Sequence, residues 1–258
     1  MISNAVRQRL RTGDVLVLSE KAISVAEGQI VDEARISSNV TAKLMARVWM
    51  RFVWGFFLAS ICHLSKHAVQ RLRKYPLLEG AAHKQLALSY AGFLQAIRHA
   101  SEGGIDVINV PYCYAVLPLR QPEKISKRIL EFLRKDTPND ISILIVDSDK
   151  TYTWRGIHIS PRSTSIQGIL CLGVLAYVLG RSLRLRPRST PVAQSGHHLS
   201  AEEALRIAAL ANRARGSGAG RTAWDMAERF GVDLTKVTWE SLASIKHRPI
   251  VIVRKNYH

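Results

Sequence analysis

The stretch that decides the fold is ISILIVDSDKTYTWRG, Ile141–Gly156. Six residues, mostly branched and apolar, run straight into Asp147-Ser148-Asp149, then a lysine, hydroxyls, an aromatic and Arg155. A short apolar run bounded by turn residues reads as a core strand. A core strand that ends in two carboxylates either ends in a solvated turn or delivers ligands to a charged site. A single aspartate at a turn is most often an Asx cap, so the stretch alone leaves both readings open.

Upstream, Asp14–Leu18 (DVLVL) follows Gly13 and has a strand's length and β-branching. Ala22–Val31 reads as further extended chain with a turn at Glu27-Gly28. Val40, Leu44, Val48 and Phe52 recur at i+4, which predicts helix across Val40–Lys74, ended by Pro76. Lys84–Arg98 reads as another helix, Ile105–Val110 as a short β-like piece, and Pro122 opens a helix through Leu133. Ser200-Ala-Glu-Glu203 is a capping box that starts a helix to about Arg215. Gly216–Gly220 (GSGAG) is a flexible loop, Thr222–Phe230 a short helix closed by Gly231, and Pro249–Arg254 a last strand. Strands at both ends and in the middle, with helices between, predict an α+β fold of mixed or antiparallel sheets with packed helices.

At 258 residues, the chain suits one large domain or two small ones, and 47% hydrophobic with 22% charged residues is globular composition. Lysine and arginine number 37 against 20 acids, a net charge of +17, with a pI near 10.3. Such a field favours nucleic acid, an anionic membrane or phosphate-rich small molecules; it is also compatible with a general basic bias. No nucleic-acid-binding module motif is present. Cys62, Cys113 and Cys171 are odd in number and far apart, which suits reduced thiols, and no Cys/His spacing suggests zinc. His197-His198 reads as loop. The apolar runs Phe52–Leu64 and Ile166–Leu179 fall short of the ~18–20 apolar residues a bilayer span needs, so both read as buried elements of a cytoplasmic protein with no membrane partner.

Three segments carry candidate chemistry: Ser19-Glu20-Lys21 through Gly28, GGIDVINV (Gly103–Val110), and Val146-Asp-Ser-Asp149 through Gly156. Two aspartates meeting in space, Asp106 and Asp147, would hold Mg²⁺ or Mn²⁺ through oxygen and leave positions open for phosphates.

Taken together and in order, these segments resemble the coenzyme F420-0:L-glutamate ligase (F420 γ-glutamyl ligase) family. GDVLVLSEKAISVAEGQIV is similar to its strand–turn–strand opening, GGIDVINV to its Gly–Ile-Asp-x-x-Asn segment, and ILEFLRK…ISILIVDSDKTYTWRG to its helix, strand and Asp-(Thr/Ser) turn. AEEALRIAALANRARGSGAG and RPIVIVRK resemble its late helix, glycine loop and terminal strand. The resemblance implies one F420-ligase-like domain over 1–258, with a helical segment at about 38–100 and a C-terminal insertion at about 221–247. It implies an amide-bond-forming ligase of coenzyme F420 biosynthesis. That ligase adds L-glutamate, by γ-glutamyl amide bonds, to the deazaflavin F420-0 or a related phosphorylated acceptor, with GTP as co-substrate and Mg²⁺ or Mn²⁺ as metal. Carried over by position, Asp106, Asp147 and Ser148 are implied metal ligands, with Asp106, Asp147 and Arg155 catalytic. Glu20, Lys21, Asn109, Gly216, Ser217 and Gly218 are implied nucleotide contacts. The family also implies a homodimer. The chain departs from the pattern at Val25, where the family has a lysine, at Asp149-Lys150, and in having only twelve residues before Gly13. Those departures keep open an impaired relative that binds a nucleotide or flavin-like ligand without turnover, and the charge keeps open a basic nucleic-acid-binding protein.

Overall fold

The computed structural model describes residues 6, 8–136, 139–220, 222–233 and 236–254. The chain is α+β, built on a mixed sheet. Strand β1 (Val15–Ser19) lies parallel to β4 (Ser142–Trp154), with Val15 opposite Ser142 and Ser19 opposite Val146. Around this pair the sheet runs β6 (Ile169–Cys171), β5 (Ile157–Ser160), β4, β1, β8 (Ile250–Val253), and β7 (Arg186–Ser195) also pairs with β4. Among the described residues, β1/β4 and β5/β6 are the parallel pairs.

The unbroken apolar runs of β1 and β4 follow from burial on both faces. Alternate residues Leu16, Leu18, Ile143 and Ile145 pack with Ile125, Leu130 and Leu133 of the helix Pro122–Asp136. Val15, Val17, Leu144 and Val146 point the other way, onto Leu205, Ile207, Ala208 and Ala211 of the helix Ala201–Arg215. That second helix begins with the expected capping box, the Ser200 hydroxyl accepting from the Glu203 amide.

Several local expectations are corrected. Glu20–Ala26 is a helix, so the chain turns inward after β1 and only Ile30–Asp32 is extended, pairing with Tyr114–Val116. The helix forms in spite of the β-branched Ile23 and Val25, and Gly28 at φ +71° gives it a place to stop. The helix expected from Lys84 starts earlier, at Leu78, and breaks at Gly92 (φ +83°). Ile105–Val110 is a turn, anchored by one bridge between Asp106 and Val116. The helix Val174–Ser182 and the strand Arg186–Ser195 occupy what reads in sequence as an apolar run and a basic stretch. Arg221, where the insertion was expected to begin, lies outside the described residues.

The two long apolar runs are not buried throughout. The helix Val40–Ile61, wound as a π-helix over Met45–Leu58, is long and apolar enough by composition to cross a bilayer. One face, Ala46, Met50 and Trp54, packs on Leu72, Tyr75 and Ala81, and the indole N–H groups of Trp49 and Trp54 both donate to the Ile97 carbonyl at 2.7 Å. The other face leaves Val40, Leu44, Val48, Phe52, Phe56 and Phe57 exposed, and Leu170, Leu172, Leu175 and Leu179 are exposed as well. Both runs are amphipathic covers whose second apolar face is left exposed among the described residues.

A buried charge network ties this helical excursion to the loop that carries Asp106. Lys84, with no exposed surface, donates to Glu102 Oε1 and to the Arg98 carbonyl, each at 2.5 Å. His83 bridges Glu33 Oε1 (2.6 Å) and Glu102 Oε2 (3.1 Å). Burial alone would discharge His83, but Glu102 and Glu33 outweigh it and push its pKa up to about 10. A histidine raised above its unfolded value stabilises the fold fully below about pH 6.5, and that contribution fades as pH climbs through about 10. Denaturant titrations from pH 6 to 10 are therefore expected to show wild-type stability falling relative to His83→Gln, with the gap shrinking by on the order of 2–4 kcal/mol. A pH-independent gap would contradict the network.

Candidate active site

In a parallel strand pair, groups at the carboxyl ends face a common crevice. Here β1 delivers Glu20 and Lys21, and β4 delivers Asp147 and Ser148. Between them sits Arg162, 4% exposed, which reaches back from the loop after β5. Its Nη1 donates to Glu20 Oε2 (2.5 Å) and Asp147 Oδ2 (2.6 Å), and its Nη2 to Glu20 Oε1 (2.8 Å). The Leu119 amide also donates to Glu20 Oε1 at 3.0 Å. Gly104 closes over this guanidinium: a Cβ there would lie 2.7 Å from Arg162 Nη1, and the residue's φ is +96°, so only glycine suits the position.

Lys21 turns to the other side. Its ammonium pairs with Asp106 Oδ2 and donates to the Ile108 carbonyl at 2.8 Å. Asp106 Oδ1 accepts from the Ile108 amide at 2.7 Å, which fixes the carboxylate within an Asx turn. Asp147 Oδ1 accepts from the Ser148 amide at 2.6 Å, with the Ser148 hydroxyl 3.5 Å away. Burial raises the Asp147 pKa, but Arg162, Lys21 and the Ser148 amide outweigh it and hold the carboxyl below its ordinary range. Glu20 goes the other way, because burial and the Asp147 charge together exceed the pull of Arg162. Arg215, at the end of the helix Ala201–Arg215, lies within the field of both Asp147 and Asp106, and burial lowers its pKa.

The glycine loop joins the site through Asn109. The Ala219 amide donates to Asn109 Oδ1 at 2.7 Å, and a Cβ on Gly218 (φ +60°) would lie 2.7 Å from the same oxygen. Gly216 follows Arg215 directly at φ +75°. The structure thus places Glu20, Lys21, Asp106, Asn109, Asp147, Ser148 and the 216–218 loop around one crevice. It does not place Arg155 there. Arg155 is exposed at the tip of the β4–β5 hairpin (φ +44°), its guanidinium over the Trp154 ring. Seven residues lie between it and Asp147, eight steps of ~3.3 Å or roughly 26 Å of extended strand. The cation beside the carboxylates is Arg162, which sequence reasoning missed because Ser-Pro-Arg-Ser carries no pattern. Asp149, also missed as a buried group, has a pKa pushed to about 7 by burial and by Asp147, with Arg98 3.7 Å away.

An open cleft of about 470 Å³ lies at the opposite end of the sheet, between Lys127, Arg134 and the 194–198 turn. Its lining is mostly exposed and brings no pair of carboxylates together, so the chemistry points to the crevice at Asp106 and Asp147 instead.

A sequence model of the family described as F420-0:Gamma-glutamyl ligase matches residues 1–223. The chain belongs to this family. F420-0:gamma-glutamyl ligases are enzymes of F420 biosynthesis, with F420-0 and glutamate as the substrates the family name implies. A relative in the F420-0:gamma-glutamyl ligase family, the uncharacterised protein MJ1361 of Methanocaldococcus jannaschii, is 28% identical over 256 residues, covering 95% of this chain and 86% of its own length. The family match ends at Ala223, so most of the helix Ala223–Phe230, the helix Trp239–Ala243 and the edge strand β8 lie beyond it.

The crevice suits a hard divalent cation. Asp106 and Asp147 are carboxylates whose oxygens keep lone pairs after one hydrogen bond each, and Ser148 adds a hydroxyl. Lys21 already holds a positive charge on Asp106 and within the field of Asp147. Among the described residues no three His, Cys, Asp or Glu side chains converge on one metal position.

Proposed function

We propose that this protein is a GTP- and divalent-metal-dependent ligase that joins L-glutamate to F420-0, or to a related phosphorylated acceptor, through amide bonds. The observation that carries this reading is Lys21, just past the carboxyl end of β1, paired with Asp106 and within the field of Asp147, which stands in mid-β4 where the pairing with β1 ends. Asp106, Asp147 and Ser148 would hold the metal, Mg²⁺ or Mn²⁺. Bound there, it offsets the charge of the transferring phosphoryl group.

The chain's own residues supply the rest. Lys21 and Arg215 offer cations to the nucleotide phosphates, and the 216–218 loop offers backbone that can come close to them. Asn109 holds that loop through the Ala219 amide. Arg162 fixes Asp147 and Glu20 so that neither carboxylate needs to reorganise during reaction. The γ-phosphoryl of GTP passes to the acceptor carboxylate and GDP leaves. The glutamate amine then attacks the acyl carbon, loses a proton and expels phosphate. Release of phosphate that requires GTP, glutamate and acceptor together tests this; release that ignores glutamate and acceptor contradicts it.

A second reading, a relative that binds nucleotide or flavin without turnover, is favoured by Val25, which puts an apolar side chain where the family has a cation.

We also propose a homodimer acting in the cytoplasm. All three cysteines are free, as suits a reducing compartment. The exposed stripe Val40, Leu44, Val48, Phe52 and Phe56 is the kind of unpartnered face that a second copy covers. Sedimentation is expected to give a dimer for wild type and a monomer for the Val48→Glu/Phe52→Glu double variant. A wild-type monomer at micromolar concentration would contradict the dimer.

A further inference from the structure

The segment beyond the family match builds its own small core. Met226 and Ala227 of the helix Ala223–Phe230 pack with Val237 and Leu242 around Ala219, which is 1% exposed and belongs to the glycine loop. Arg229 donates to the Gly218 carbonyl at 2.7 Å. The far side of the loop is therefore held by the inserted helices, and its near side by Asn109.

The second inserted helix touches the same region again. The Thr238 hydroxyl caps it by accepting from the Ser241 amide, and this sets Trp239 at its first position. The Trp239 ring lies 6.2 Å from the Tyr114 ring, tilted by 42°. Tyr114 stands on the strand Tyr114–Val116, two residues before the bridge from Val116 to Asp106, and its amide closes the turn Pro111–Tyr114, which follows Asn109, by donating to the Pro111 carbonyl. Tyr114 and Asp106 therefore belong to one loop-and-strand segment, and Trp239 packs on it from the second helix. Trp239 is 46% exposed although its neighbours in the helix pair are packed. An indole left half in water, fixed against a second ring beside a cationic crevice, is the arrangement that stacks a planar heteroaromatic group.

We propose that Tyr114 and Trp239 form the ring-binding subsite of this crevice, taking the fused heteroaromatic system of a phosphate-bearing substrate while its phosphates reach Lys21 and Arg215. The subsite rests on the ligase reading for the identity of its ligand, and both a guanine nucleotide and a deazaflavin carry the chemistry it recognises. One of its two rings, Trp239, lies beyond the residues the family model matches.

The test is equilibrium binding of GTP and of F420-0, measured separately by fluorescence on the full chain. Wild type is compared with Trp239→Ala, Trp239→Phe, Tyr114→Ala and Tyr114→Phe, each checked for an unchanged melting transition. The subsite predicts that the alanine variants weaken one of the two ligands by about 10-fold or more and leave the other within 2-fold, that the phenylalanine variants recover most of the loss, and that in turnover KM for that ligand rises while kcat holds. The ligand affected identifies the source of the ring. Unchanged binding of both ligands to folded Trp239→Ala, or no binding of either to wild type, overturns the subsite. Ring binding lost in the alanine variants of a protein that forms no amide supports the subsite and overturns the ligase reading instead.

Discussion

Replacing Arg162 by leucine is expected to lower stability by on the order of 3–5 kcal/mol, because it leaves two buried carboxylates close together without the guanidinium that pairs with both. Glu20 is 3% exposed and Asp147 has a side chain 13% exposed, and both spend their pairing on this one guanidinium. In a chain of this size the loss corresponds to a fall in melting temperature of roughly 10 °C. The pH dependence gives a sharper signature. Without Arg162 both carboxyls take up protons more readily when folded than when unfolded. A group raised in this way stabilises below its unfolded pKa and loses that contribution as pH rises. The variant is therefore expected to regain stability between pH 8 and pH 5, measured by urea denaturation. Arg162→Lys keeps the charge but not the fork, and is expected to fall between the two. A leucine variant as stable as wild type at pH 8 would show that the guanidinium does not hold the site together.

The second large effect is on chemistry alone. Asp147→Asn is nearly isosteric, keeps an oxygen for the Ser148 amide, and leaves Arg162 paired with Glu20. Its melting temperature is expected to stay within a few degrees. Its activity is expected to fall by about 100-fold or more, because the charged oxygen that would face the metal is gone. The metal concentration giving half-maximal activity is expected to rise with it, which separates a ligand from a merely structural acid. Ser148→Ala, which removes one neutral donor, is expected to cost closer to 10-fold. Turnover in Asp147→Asn equal to wild type at the same metal concentration would remove Asp147 from the metal site.

The central architecture was legible because it is written in local pattern. The apolar runs at Asp14–Leu18 and Ile141–Val146, the capping box at Ser200 and the glycine after Phe230 each specify their element by spacing. Their convergence was less legible, since pairing β1 with β4 joins residues more than a hundred positions apart. Ala22–Val31 reads as extended chain, and its β-branched residues suit a strand; the inward turn after Ser19, which buries Glu20 beside Arg162, makes Glu20–Ala26 a helix instead. Arg162 and Asp149 were invisible for a different reason. Their roles come from burial and long-range charge, which no local spacing records. Arg155 was misplaced because it follows the candidate aspartate in sequence, while an extended strand carries each further residue away from it. Phe52–Leu64 reads as buried because the run is too short to span a bilayer, and its length does not report what covers it: Phe52, Phe56, Phe57 and Ile61 are exposed.

The most direct measurement is mass spectrometry of F420-0 incubated with this protein, GTP, Mn²⁺ and L-glutamate, with Asp147→Asn run in parallel. A ligase at this site predicts acceptor heavier by whole glutamyl residues, one GDP formed for each residue added, and neither product with the variant. Acceptor of unchanged mass and GTP left intact, under conditions where the folded wild type binds both, would contradict it.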